Sequence, residues 1–177
     1  MKKVLINVGL ILTIYLIYIL QANFFSWFNI ASIMPNLFII LVLFIGLFTN
    51  KTMGTAYGVI VGLFLDLVIG RNVGINAVSL GLIGFLAAVF DKNFSKDSRM
   101  TIMLMVLVAT IVTESLNYLL NYIFLNINVE ILNFIKILSI ETIYNLILTI
   151  IIYQLMQKAG YYIENEYKGN KILTRYF

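Results

Sequence analysis

Three carboxylates lie inside otherwise apolar stretches of this chain, and their neighbours decide what chemistry they could do. Glu114 is followed by Asn117, Tyr118 and Asn121 at i+3, i+4 and i+7, so all four share one helical face. Glu141, Tyr144, Asn145 and Thr149 form a similar stripe further along. Asp66 closes the run MGTAYGVIVGLFLDLVIG, with Arg71 just beyond it. Carboxylates can serve as general acids or bases, hold cations or anchor a polar network. None is paired in sequence with a nucleophile, and there is no Walker loop, nucleophile elbow or metal-ligand cluster. The chain has no Cys and no His, which removes disulfides, thiol chemistry, Cys/His metal sites and every His-based triad. An enzyme is therefore not expected, and no cofactor is implied.

Asn117, Asn121, Glu141 and Asn145 are expected at one depth, overlapping that of Asp66. Together with Glu114 they read as an intramembrane polar pocket or an interhelical network. A satisfied network, a surface for a partner helix and a transport site all remain open at this point. Asp66 is costly if it faces lipid, about 2.5–3.5 kcal/mol at mid-membrane, so it should face protein, water or a partner. An Asp66–Arg71 pair or a cap fixing the following turn is one reading; contact with a partner is the other. Gly54, Gly58 and Gly62, at i, i+4 and i+8, leave one helix face bare. Ala77, Gly81, Gly84 and Ala88 repeat the pattern in the next segment. Such faces are packing grooves within the bundle or seats for a partner's helix.

Membrane helices are what must position these residues. The chain has 177 residues, 62% hydrophobic and only 11% charged, and its mean hydropathy is +0.99. A soluble domain is nearer a quarter charged, and this chain lacks the polar surface to cover itself in water. Six spans are expected, at about 4–22, 33–49, 53–69, 73–90, 100–125 and 134–157, as one all-α bundle. The first is read as a retained helix, because its apolar run is long and no small-residue cleavage site follows. Pro35 falls in the first turn of the second span, where its missing N–H costs little. Asn50-Lys51-Thr52 and Gly70-Arg71-Asn72 read as short turns, and residues 91–99 as a polar loop. Residues 158–177 read as a short tail.

Lys and Arg collect on the cytoplasmic side of membrane proteins. With both termini inside, ten basic residues (Lys2, Lys3, Lys51, Lys92, Lys96, Arg99, Lys158, Lys168, Lys171, Arg175) face inward and two (Arg71, Lys136) outward. The reverse orientation inverts that split. The net charge of +4 is thus accounted for by topology, with no basic face for nucleic acid. Trp27 and three Phe in the first outer loop suit the membrane interface.

Residues 34–90 resemble the rod shape-determining MreD family. The matching positions are Pro35, Asn36 and Leu37; Gly58, Gly62, Leu63 and Asp66; and Gly70, Gly74 and Ala77. Asn36 stands where the family more often has Asp; a capping role would survive that change. The resemblance implies a non-catalytic scaffold of the cell-elongation machinery in the bacterial cytoplasmic membrane. Its implied partners are single-pass MreC, the MreB filament, RodA and a class B penicillin-binding protein. It also implies a fold similar to the six-helix substrate-binding subunits of energy-coupling-factor transporters. A vitamin-type binding subunit, using Glu114, Asn117 and Glu141, is accordingly the alternative.

Overall fold

A computed structural model describes residues 2–69, 73–91, 96–125 and 130–167. Gly70 and Arg71, singled out above, lie outside the described residues, as do residues 168–177. The described residues are helical with no β-strand. Helix α1 (Lys2–Ile19) runs on through a π-turn (Leu20–Phe24) into a three-residue turn, α2 (Phe25–Trp27). Then come α3 (Leu37–Phe48), α4 (Lys51–Ile69), α5 (Ile75–Phe90), α6 (Arg99–Leu125) and α7 (Ile131–Tyr167). Four helical stretches, Lys2–Trp27, Lys51–Ile69, Arg99–Phe124 and Ile131–Tyr167, are long and apolar enough to cross a bilayer; α3 and α5 are apolar but shorter. This is a helical membrane protein.

Helix α3 sits in the middle. Every residue from Leu37 to Phe48 is buried, as expected of a helix that is apolar all round and so has no face for water. It starts later than the expected residue 33, and Pro35 precedes it rather than opening its first turn. Two local causes explain the delay. Proline disfavours helical geometry in the residue before it. Ile30 and Ile33 also exchange backbone hydrogen bonds across Ala31 and Ser32, both at positive φ, which is the geometry of a two-residue hairpin turn.

Asn50 caps α4 through Met53 N to its Oδ1 at 2.9 Å, so Lys51 and Thr52 are already helical rather than part of a turn. Helices α4 and α5 form an antiparallel hairpin whose backbones nearly touch. A Cβ on Gly54 would meet the Gly84 carbonyl at 2.5 Å, one on Gly58 would collide with the Leu80 carbonyl, and one on Gly62 with the Ala77 backbone. The bare face of α4 is therefore filled by α5.

The long helix α7 continues to Tyr167, ten residues past the expected end of the last span at Gln157. Residues 158–167 are helix because each turn finds a partner. Tyr161 donates to Asp97, Lys96 pairs with Glu164, Lys2 with Glu166, and Tyr167 donates to Asn7. Gly160 leaves room for the Phe48 ring at the end of α3.

Candidate functional site

The polar residues of the bundle separate into two groups, both anchored on α6. The first centres on Asp66, which is 2% exposed. Its Oδ2 accepts from Gly74 N at 2.8 Å and Ala77 N at 3.3 Å; its Oδ1 accepts from Asn76 N at 3.2 Å and Asn76 Nδ2 at 2.8 Å. The free N–H groups at a helix start carry partial positive charge. Asp66 thus supplies from α4 the anionic cap that α5 lacks, since Gly74, its N-cap residue at φ +114°, has no side chain to offer. The network continues into α6. Asn117 Nδ2 donates to Asn76 Oδ1 at 3.4 Å, Ser79 Oγ lies 2.6 Å from Asn117 Oδ1, and Asn121 Nδ2 donates to Asn117 O at 2.7 Å. Of the expected Asp66–Arg71 pair, the Arg71 half falls outside the described residues.

The second group joins α3, α6 and α7. Asn145, with no exposed surface, accepts from Asn36 N at 2.8 Å and donates from Nδ2 to Thr110 Oγ1 at 3.0 Å. Leu37 N donates to Gln21 Oε1 at 3.2 Å. The start of α3 is therefore capped by side chains from two other helices. The Asn36 side chain makes no cap bond, so the capping role expected of it passes to Asn145 and Gln21. One turn from Asn145 lies Glu141, 6% exposed, with the Asn36 amide and Glu114 as its polar neighbours. Four buried oxygens here or on adjacent turns lack a hydrogen-bond partner: Asn36 Oδ1, Thr113 Oγ1, Glu141 Oε1 and Thr142 Oγ1. Tyr144, on the next turn of α7, donates to the Phe28 carbonyl and ties the segment after α2 over this end of the helix.

The residues read together as a pocket or an interhelical network thus fall into two clusters. Asn117 and Asn121 turn to α5 and to their own helix, whereas Glu114, Glu141 and Asn145 face the α3–α7 side. A pre-formed cavity lies elsewhere. A space of about 470 Å³ between α3, α5 and α6 is lined by Leu43, Ile83, Phe90, Leu104, Met105 and Val108 among others, and none of the five pocket candidates lines it. Its walls are apolar, which does not suit a polar vitamin-type ligand. Among the described residues no group of three His, Cys, Asp or Glu could hold a metal ion.

Several positioning residues were not foreseen. Thr110 and Thr113 extend the α6 stripe backward, at four and one residues before Glu114, and could have been found by running the same periodicity toward the helix start. Asn76 and Ser79 sit at i and i+3 on α5 and escaped notice because neither is charged. Lys96 falls in the polar loop expected at residues 91–99. It is buried instead, 6% exposed, paired with Asp91 at 2.8 Å and with Glu164, its ammonium 4.9 Å above the Phe48 ring. Tyr153 donates to Asp97 O at 2.8 Å beside it.

Residues 2–159 match the family model described as rod shape-determining protein MreD. No curated protein and no solved structure matches the chain.

Proposed function

This chain belongs to the MreD family of rod shape-determining proteins, and on that footing we propose that it is a non-enzymatic membrane scaffold of the elongation complex. It binds single-pass MreC and helps to position peptidoglycan synthesis. MreB on the inner side, and RodA with a class B penicillin-binding protein toward the wall, are the further partners of this reading. The chain crosses the bilayer six times as one domain, both termini in the cytoplasm, with α3 and α5 as the two short crossings. Helix α3 spans about 18 Å at 1.5 Å per residue, short for a span. Its full burial inside the bundle removes the need to match the lipid thickness by itself.

The observation that carries the reading is the family match across nearly all of the chain. The site chemistry agrees with it. Asp66, Asn117 and Asn145 spend their hydrogen bonds on holding helices to one another, as a scaffold requires. The test is depletion in the protein's own host. Rods should round up as the protein is lost and recover when it is supplied in trans. Cells that keep their rod shape throughout would sink the proposal.

A further inference from the structure

The second polar cluster has oxygens to spare, and among the described residues no basic side chain meets them. Helices α6 and α7 are antiparallel and touch where Asn145 bonds to Thr110. One turn further along both, Thr113 and Glu114 on α6 come level with Glu141 on α7. Thr113 is 1% exposed, on the face that Thr110 shares, and its hydroxyl has no partner. Glu141 Oε1 and Asn36 Oδ1 have none either, although the Asn36 amide lies beside the Glu141 carboxyl. Thr142 Oγ1 adds a fourth such oxygen on the same turn as Glu141. Among the described residues no Lys or Arg pairs with Glu114 or Glu141; the ion pairs gather around Lys2 and Lys96 instead. A buried carboxylate without a countercharge is costly, and each buried oxygen without a partner adds to that cost.

We infer that Glu141, Asn36 and Thr113, with Glu114 at the rim, form a binding site for a small monovalent cation of the sodium class. The donor set is all oxygen, mixing one deeply buried carboxylate with an amide and a hydroxyl, which suits a hard ion. Calcium takes six to eight oxygens, often several of them carboxylate, and magnesium keeps much of its water; a site with one deeply buried carboxylate balances a single positive charge better than two. Glu114, only half-buried, provides the way in. Tyr144, bonded to the Phe28 carbonyl, covers the next turn. A bound ion would neutralise Glu141 and tie α3 to α6 and α7 at one point. The ion-binding and scaffold proposals rest on different observations, and either can fail without the other.

Thermal unfolding of the purified full-length protein in mild detergent tests it, in sodium, potassium and choline chloride at equal ionic strength. Sodium should raise Tm saturably above choline, with the folding equilibrium shifting about 100-fold when sodium reaches 100 times its Kd. Glu141→Gln, which keeps the shape and removes the charge, should abolish the sodium increment, and Thr113→Val should weaken it. Binding of ²²Na⁺ to the wild-type protein gives a readout that does not depend on variants folding, and should saturate at one ion per chain. Equal Tm in all three salts with no saturable ²²Na⁺ binding would overturn the inference.

Discussion

Asp66 shows how one side chain can hold two helices. Its four accepted hydrogen bonds all come from the first turn of α5 or the residue just before it. Bonds to a charged acceptor are worth more than neutral ones, and an uncapped, buried helix start leaves its N–H groups without partners. Asp66→Ala should therefore destabilise the protein by about 2 kcal/mol, read as a fall in Tm in detergent. Asp66→Asn should fall between, because one oxygen remains to accept while the amide turns donors against donors. An unchanged Tm for both variants would mean that α5 is held by packing alone. That Asp66 matters was legible in the sequence, since a lone carboxylate in an apolar run must find something to bind. Which group it binds was not. Three of the four donors are backbone N–H groups eight to eleven residues away, and backbone amides leave no mark in a sequence. Asn36 makes the opposite point. Its residue type suggested a cap, yet its side chain makes no cap bond and the start of α3 is capped from Asn145, 109 residues along the chain.

At the scale of the element, glycine spacing governs the α4–α5 hairpin. Gly58→Leu and Gly62→Leu should lower the yield of folded protein equally with and without a co-expressed partner, because a side chain at either position runs into α5. Overpacking costs typically about 1–3 kcal/mol for added methylenes, and backbone collisions leave less room to relax. Folded yield rescued by co-expressed MreC would instead return this face to the partner. Close packing was readable from the i, i+4, i+8 repeat, and the occupant follows from the repeat on α5 as well: small residues on two consecutive helices joined by a short turn match each other. Helix ends were less legible. Residues 158–167 look like a polar tail by hydropathy alone, and they become helix through contacts with Asp97, Lys96, Lys2 and Asn7. Those partners lie 64 to 164 residues away in the sequence and leave no local signal.

Across the whole molecule, those contacts close the bundle at one end. Lys96 lies between Asp91 at the end of α5 and Glu164 near the end of α7, over Phe48 at the end of α3. Lys96→Ala should cost about 2 kcal/mol, less than a fully buried pair because both carboxylates keep some exposure. Lys96→Met should recover part of that through its contact with Phe48, and a Tm series in detergent would rank the two. A loss no larger for Ala than for Met would remove the packing share of this account. That the chain is built of apolar, membrane-type helices was clear from composition, because apolar runs of this length have few other uses. Their arrangement around α3 was not, since an all-apolar helix carries no stripe to say which neighbours it meets. On the proposed function, this bundle is a scaffold held to a partner rather than a receptor for a small molecule. The direct measurement is purification of the tagged protein from its native membrane in mild detergent, with mass spectrometry of both proteins and small molecules. A scaffold should bring down a single-pass MreC partner in stable amount and no tightly held metabolite. A vitamin-sized ligand, or an ATPase and its coupling subunit in place of MreC, would contradict it.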